Sequence, residues 1–322
     1  MRSLVPAPFL LCSLTSSALA VPSRDYAALI ETAPHRIGTA ADVVLRDPKR
    51  GAELHVRVNW PVSDGPFPVV IFSHGAWGSK DGYLALTERW ARHGYVTLQP
   101  DHRDARTRGV TVGDRSVFGH WQERPADVSF LIDALADLEQ KLPALKGKID
   151  RGRVGVAGHS YGANTAQLVA GARARLRTGE KSFADPRVQA AVLLSGQGPG
   201  EMLTERSWET VRIPMLVMTG SRDGPTRTGQ PAEWRRKPYE LSPPGGKYLV
   251  WVDGMDHGFG GLAGLPDGLF RFRKDPDHVR ITQIATLAFW DAHLKGDPDA
   301  VAYLRSDRLR RIGGASARVE WK

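Results

Sequence analysis

Residues 153–163 read RVGVAGHSYGA, and this stretch decides the fold. Its first five residues form a short, mostly apolar run that predicts a buried strand, and the segment from residue 164 onward has helical periodicity. Between them, residues 158–162 form a G-x-S-x-G pattern in a strand, turn and helix context. The flanking glycines keep side chains out of a sharp turn, so that the Ser160 hydroxyl projects from it. We expect Ser160 to be a nucleophile, with a purely structural glycine-rich turn as the alternative.

The segments on either side of this stretch alternate between strand and helix patterns. Residues 41–46 and 53–60 are β-rich and flank a turn, which predicts a hairpin. Apolar strands that alternate with helices are typical of a parallel sheet buried on both faces. We therefore expect an α/β fold with a mostly parallel eight-stranded sheet flanked by helices. The six apolar runs are 68–73, 95–99, 153–157, 188–194, 213–219 and 247–252, and the helical segments include 83–92, 126–141, 164–175 and 279–294.

A serine nucleophile needs a base, and in such a sheet the ligand crevice lies at the carboxyl ends of the strands. Three histidines follow the serine in the chain. His257 comes directly after the last predicted strand, where a loop can present it to the crevice. His278 and His293 lie at the start and the end of a helix that we expect at the surface, so we interpret both as solvated. His257 is therefore the predicted base.

A carboxylate must hold the base in the correct tautomer. Asp223 follows the predicted strand 213–219, and in this fold the acid lies between the serine and the histidine in the chain. Asp253 is the alternative acid, although it precedes the turn that carries His257. For either aspartate, capping a helix or forming a turn is the structural alternative.

The tetrahedral intermediate of acyl transfer needs hydrogen-bond donors for its oxyanion. Residues 74–78, His-Gly-Ala-Trp-Gly, follow the strand 68–73, so the amide of Ala76 and the amide of Tyr161 are the expected donors. A plain tight turn at 74–78 is the alternative. Three further residues could line a substrate pocket, although each could equally belong to the core or anchor a loop: Trp77, His102 and Trp208.

Five segments carry a resemblance to a known family: HGAWGS (74–79), ARHGYVTLQPDHRD (91–104), RVGVAGHSYGANTA (153–166), IPMLVMTGSRD (213–223) and DGMDHGF (253–259). Together they resemble the α/β-hydrolase superfamily, and within it the bacterial predicted dienelactone hydrolases related to platelet-activating-factor acetylhydrolases. The resemblance covers residues 40–295 and implies a metal-free serine esterase with Ser160, Asp223 and His257 as the triad and the amides of Ala76 and Tyr161 as the oxyanion hole. True dienelactone hydrolases use a cysteine nucleophile, so the serine here favours general ester hydrolysis.

Composition excludes several other classes of protein. The 322 residues carry a formal net charge of +9, but the basic residues are scattered and no zinc-finger or RNP-type pattern accompanies them, so we expect no nucleic-acid partner. No apolar run of about 18 residues follows the N-terminal region, so we expect no membrane span. No group of His, Asp and Glu has the spacing of a metal site, and we predict neither a metal nor another cofactor.

The N-terminal residues 1–20 have a positive start, an apolar middle and an A-x-A end, which is typical of a secretory signal peptide. An apolar N-terminal strand or helix is the alternative. Cys12 is the only cysteine and would leave with this segment, which excludes disulfides and a cysteine nucleophile from the mature chain. We expect residues 21–322 to form a single secreted or periplasmic domain.

These patterns together predict a serine carboxylester hydrolase that acts on short-acyl or lipid-like esters. The same triad can cleave amides, so an amidase or peptidase is the alternative within this fold. A non-catalytic binding module on a hydrolase scaffold is a second alternative, but its usual sign is the loss of a triad residue. The sequence predicts no particular oligomeric state.

Overall fold

The computed structural model describes residues 23–224, 229–263 and 272–322. The predicted signal peptide lies outside the described residues. No helix in the described part of the chain is both long enough and apolar enough to cross a lipid bilayer.

Ten of the described strands form one central sheet: β1 (Ile37–Asp47), β2 (Ala52–Pro61), β3 (Phe67–Ser73), β4 (Val96–Pro100), β5 (Ile149–His159), β8 (Val188–Leu194), β9 (Met215–Arg222), β10 (Lys247–Asp256), β11 (Arg311–Ile312) and β12 (Ala315–Trp321). A separate hairpin contains β6 (Arg173–Leu176) and β7 (Gly179–Ser182). The order across the central sheet is β1-β2-β4-β3-β5-β8-β9-β10-β12-β11. The six strands from β4 to β10 in that order run parallel, and the hairpin β1–β2 joins them antiparallel through β4.

All eight predicted strands are present in the sheet, but the predicted strand count is wrong by two. Strands β11 and β12 extend the sheet antiparallel beyond β10, with Ala317 opposite Val252. Sequence reasoning missed them because β12 is a partly exposed strand that carries charged residues instead of the continuous apolar run that marks a buried parallel strand.

Helices cover both faces of the sheet. The helix predicted over 164–175 begins earlier, at Tyr161, and ends at Val169, because Gly171 adopts a φ of 116° and reverses the chain. The helix predicted over 126–141 is divided into two at Ala134. The α-helices are α1 (Tyr26–Leu29), α2 (Leu84–Arg92), α3 (Glu123–Asp133), α4 (Leu135–Lys141), α5 (Tyr161–Val169), α6 (Lys237–Leu241), α7 (Pro276–Leu294) and α8 (Pro298–Leu304), and 3₁₀ turns lie at Arg106–Arg108, Arg115–His120, Pro143–Leu145, Glu205–Trp208, Ala232–Arg236, Phe259–Gly261 and Asp307–Arg310.

Helix α7 is a core helix, so the prediction of a surface helix with solvated histidines is wrong. Its buried side chains lie around its whole circumference, a pattern that belongs to a helix enclosed by other elements. His278 is buried and His293 is partly buried.

Alternate residues of the central strands pack into two separate apolar layers. In β3, Val69 and Ile71 belong to one layer, whereas Val70 and Phe72 belong to the other. This alternation places apolar side chains on both faces of the sheet, as expected for parallel strands covered by helices on each side. The central sheet is therefore covered by apolar packing on both faces.

Candidate active site

Ser160 lies in a sharp turn between β5 and α5. Its backbone has φ 55° and ψ −115°, a region that a residue with a side chain rarely adopts. The two glycines of the motif are needed for close packing. A Cβ on Gly158 would lie 2.2 Å from the carbonyl oxygen of Gly162, and a Cβ on Gly162 would lie 1.9 Å from the carbonyl oxygen of Ser73. The G-x-S-x-G pattern thus lets the start of α5 contact the end of β3.

The structure brings Ser160, His257 and Asp223 together. Nε2 of His257 lies 2.9 Å from Oγ of Ser160, and Nδ1 lies 2.7 Å from Oδ1 of Asp223. An ionised carboxylate only accepts hydrogen bonds, so Nδ1 carries the proton and Nε2 is free to accept the hydroxyl proton of Ser160. This is the geometry that a serine nucleophile and its base require.

Three further side chains surround the Asp223 carboxylate, which is fully buried. The hydroxyls of Ser195 and Thr219 donate to its oxygens at 2.9 and 2.8 Å, and Nε of Arg235 lies 3.0 Å from Oδ1. Burial acts to raise the pKa of Asp223, but Arg235 and His257 together hold that pKa below its usual value. The carboxylate therefore stays ionised opposite the imidazole. Sequence reasoning missed Arg235, because no pattern in the sequence pairs it with an aspartate twelve residues earlier.

The alternative acid, Asp253, lies apart from this group. Its side chain is exposed and accepts a hydrogen bond from Ser316 at 3.0 Å, and its backbone carbonyl lies 3.3 Å from Nε2 of His278. The structure therefore places Asp223, and not Asp253, against His257.

A small cavity of about 60 Å³ opens beside Ser160. Ala76 and Trp77 line it, and Tyr161 is the first residue of α5, where backbone N–H groups have no acceptor within the helix. Trp77 has a φ of 57°, and its indole donates to the carbonyl of Asp114 at 3.0 Å. The lining residues are Gly75, Ala76, Trp77, Tyr83, His159, Ser160, His257 and Phe272.

Two predicted substrate residues lie outside this cavity. Trp208 is fully buried in an apolar layer, and its indole donates to Oε1 of Gln167 at 3.1 Å. His102 is also fully buried, between Oγ of Ser73 at 2.8 Å and Oδ2 of Asp127 at 2.7 Å. The prediction that these two side chains line the pocket is therefore corrected: one is a core residue and the other anchors the strand end.

Tyr83 and His159 were not predicted to line the cavity. Nδ1 of His159 accepts from the Tyr83 hydroxyl at 2.8 Å, and Nε2 donates to the backbone carbonyl of His257 at 2.8 Å. Burial and the neighbouring His257 hold the pKa of His159 well below its usual value. His159 is therefore neutral and fixes the backbone of the loop that carries His257. The sequence signal was its position inside the G-x-S-x-G turn.

The groups at and behind the cavity are suited to acyl transfer. Ser160 supplies a hydroxyl, and His257, held by Asp223, supplies a base. Backbone N–H groups lie at Ala76 in the cavity lining and at Tyr161 next to the serine, so the parts required for nucleophilic attack and oxyanion stabilisation are present. Within the described ranges, no cluster of three or more His, Cys, Asp or Glu residues has the arrangement of a metal site.

Comparison with known proteins adds independent information. A family model described as "Platelet-activating factor acetylhydrolase, isoform II" matches residues 14–115. The curated relatives include platelet-activating factor acetylhydrolases from Cavia porcellus, 25% identical over 142 residues, and from Canis lupus familiaris, 25% identical over 162 residues. These matches cover 33% and 38% of this chain, and 33% and 36% of the respective relatives, so the aligned region spans only about a third of each relative.

A second family model, described as "Alpha/beta hydrolase family", matches residues 70–321, which include most of the sheet and the whole cavity lining. The model covers more than three quarters of the chain, and the observed sheet with helices on both faces agrees with it. The protein therefore belongs to the alpha/beta hydrolase family.

Proposed function

We propose that the protein is a serine carboxylester hydrolase with Ser160 as the nucleophile, His257 as the base and Asp223 as the acid of the triad. The observation that carries the proposal is the hydrogen-bonded series from Oγ of Ser160 through His257 to Asp223, beside an open cavity. Similarity to acetylhydrolases supports the choice of an ester as substrate.

In the proposed mechanism, Ser160 attacks the acyl carbon while Nε2 of His257 takes the hydroxyl proton. The amides of Ala76 and Tyr161 donate to the oxyanion of the tetrahedral intermediate. The imidazolium, stabilised by Asp223, protonates the alcohol oxygen as the C–O bond to the acyl carbon breaks. The alcohol departs, and the acyl group remains bonded to Ser160. Water then attacks this ester with His257 again as base, and the acid is released.

The cavity supports a short acyl group. Its volume of about 60 Å³ is several times smaller than the pockets of about 300–1,000 Å³ that enclose drug-sized ligands. Trp77 and Phe272 bound it with aromatic rings. A short acyl chain therefore fits beside Ser160, whereas the alcohol of the ester extends away from the cavity, so a lipid-like alcohol is compatible with the proposal.

The test uses the purified full chain with p-nitrophenyl acetate. Ser160→Ala is expected to lower kcat at least about 10³-fold, because the covalent step is lost. Ser182→Ala, an exposed serine of the separate hairpin, is the matched control and is expected to keep kcat within twofold. Unchanged hydrolysis by Ser160→Ala would remove Ser160 from the mechanism.

A matched pair of substrates, p-nitrophenyl acetate and p-nitroacetanilide, separates an esterase from an amidase. We expect a higher kcat/KM for the ester. A higher value for the anilide would favour the amidase or peptidase alternative, and no Ser160-dependent turnover of either would favour a binding module.

The proposal includes export. Residues 1–20 act as a cleaved signal peptide, and residues 21–322 form one mature domain outside the cytoplasm. N-terminal sequencing of the protein from the periplasm or culture medium is expected to begin at residue 21. An intact N-terminus in a cytoplasmic fraction would contradict this part of the proposal.

A further inference from the structure

Arg124 is a buried cation that the proposed mechanism does not use. It lies in α3 and is 1% exposed. Its guanidinium forms a two-point ion pair with Asp104, with Nε 3.0 Å from Oδ1 and Nη2 2.6 Å from Oδ2. Burial opposes ionisation of this carboxyl, but Arg124 holds the pKa of Asp104 well below its usual value. The pair is therefore fully charged and fixes the plane of the guanidinium.

The same guanidinium contacts both segments that carry the proposed oxyanion donors. We define the oxyanion loop as residues 74–78. Nη1 of Arg124 donates to the backbone carbonyl of His74 at 2.6 Å, at the start of this loop. On the other side, the centre of the guanidinium lies 4.3 Å from the centre of the Tyr161 ring, within the range of a cation–π contact. Arg124 thus bridges the oxyanion loop and the first residue of α5.

Other buried groups fix the same end of the oxyanion loop. Nδ1 of His74 donates to the carbonyl of Gly75 at 2.7 Å, and its Nε2 accepts from the amide of His102 at 3.3 Å. The Ser73 hydroxyl donates to Nε2 of His102, whose Nδ1 donates to Asp127. Burial and Arg124 lower the pKa values of both His74 and His102, so both rings are neutral hydrogen-bonding groups.

We propose that Arg124 is a positioning residue that sets the distance between the amides of Ala76 and Tyr161 in the oxyanion hole. The inference rests on the proposed function, because it assigns these two amides to the oxyanion. Asp104 compensates the charge of Arg124, so the effect arises from the planar geometry of the guanidinium and not from its net charge. A lysine keeps the charge but lacks the planar fork that forms the two-point pairing with Asp104.

Arg124→Lys tests this role through the split between kcat and KM. A misplaced oxyanion donor stabilises the transition state less, but it hardly changes the binding of the ester in the ground state. We therefore expect kcat for p-nitrophenyl acetate to fall about tenfold or more, with KM unchanged within about twofold. The Ki of a trifluoromethyl ketone, which forms a tetrahedral adduct with the serine, should rise by the same factor as kcat/KM falls. A merely structural effect would not produce this matched change.

Arg187→Lys is the matched control, because Arg187 also forms a two-point pair with an aspartate, Asp185, far along the chain from the oxyanion loop. We expect it to leave kcat within twofold. Wild-type kcat in a folded Arg124→Lys variant, a loss confined to KM, or an equal loss in the control would overturn the proposal.

A second variant covers the case in which Arg124→Lys does not fold. Tyr161→Leu keeps the backbone amide but removes the ring against which the guanidinium packs, so the same loss of kcat at constant KM is expected. Wild-type kcat in this variant would overturn the proposal. Ser160→Ala distinguishes the two proposals. If the wild type shows no turnover that Ser160→Ala abolishes, the proposed function is refuted. If it does show such turnover and the Arg124 and Tyr161 variants keep wild-type kcat, only the positioning role is refuted.

Discussion

Asp223→Asn changes one buried atom and separates two roles of the carboxylate. The aspartate accepts the Nδ1 proton of His257 at 2.7 Å and stabilises the imidazolium that forms during acyl transfer. An asparagine can present its NH₂ group to Nδ1 and so favour the wrong tautomer. We expect kcat/KM to fall about 10⁴-fold, the loss typical when the aspartate of a Ser-His-Asp triad becomes asparagine, which corresponds to about 5.5 kcal/mol of transition-state stabilisation.

The same substitution leaves Arg235 without a buried counter-charge. Arg235 is 6% exposed, and its Nε lies 3.0 Å from the carboxylate. Loss of one partner of a buried ion pair costs about 3–5 kcal/mol. Arg235 keeps its hydrogen bonds to the backbone carbonyls of Asp223 and Ser195, at 2.7 and 3.0 Å, so we expect a decrease near the lower end, about 3 kcal/mol in the free energy of unfolding.

The double variant Asp223→Asn/Arg235→Met separates these effects. Removing the unpaired cation is expected to restore most of the free energy of unfolding that Asp223→Asn loses, as measured by urea titration. The kcat/KM of the double variant should remain as low as that of Asp223→Asn. Asp253→Asn is the control, because Asp253 is exposed and hydrogen-bonds only Ser316 through its described side-chain contacts. Recovery of activity in the double variant, or a larger loss of activity in Asp253→Asn, would refute the reasoning.

Three further predictions concern packing and titration. Gly162→Ala is expected to lower the free energy of unfolding by several kcal/mol and to abolish turnover, because the new Cβ would lie 1.9 Å from the backbone oxygen of Ser73. A Cβ at Gly200 would meet no atom within 4 Å, so Gly200→Ala should have little effect in the same urea titration. Burial, Arg305 and Lys247 lower the pKa of His293 to about 4. The unfolded chain therefore binds an extra proton between about pH 6.5 and 4, and the contribution of His293 to the free energy of unfolding should fall by about 3 kcal/mol as the pH decreases through that range. His293→Gln should flatten this slope, and an unchanged slope would contradict the assignment. Burial and the nearby cations Lys322 and Arg212 lower the pKa of Lys247 to about 8. The unfolded chain therefore binds an extra proton between about pH 8 and 10.5, and the free energy of unfolding should rise by about 3 kcal/mol as the pH increases through that range. Lys247→Met should remove this rise, and an unchanged rise would contradict the assignment.

The features that could be predicted from the sequence are those encoded by local order. Each buried strand ends in a polar or glycine cluster, and in a parallel sheet those ends meet at one edge, so the position of Asp223 directly after β9 and of His257 directly after β10 predicted their proximity to Ser160. Chain order and strand ends carry this information without any long-range contact being known.

Long-range burial could not be predicted in the same way. The scattered basic residues of the sequence give no sign of which cations are buried. Arg124 and Arg235 are both almost fully buried, in ion pairs with aspartates that no periodicity connects to them. Trp208 was predicted as a pocket residue but is buried, because a tryptophan near a strand end can either line a pocket or fill the core. Its position in an apolar layer and its hydrogen bond to Gln167 assign it to the core, and both are long-range contacts.

Backbone strain points to the site independently of the motif. Among the residues that the structure describes, five residues other than glycine have a positive φ: Trp77, Tyr83, Ser160, Ser195 and Phe259. The first three line the cavity, Ser195 donates to Asp223, and the ring of Phe259 packs on His159 with 5.5 Å between ring centres. Each such conformation costs about 1–3 kcal/mol and persists only where surrounding contacts over-determine it. Five strained residues around one cavity are the pattern expected where surrounding contacts maintain a backbone geometry that a reaction requires.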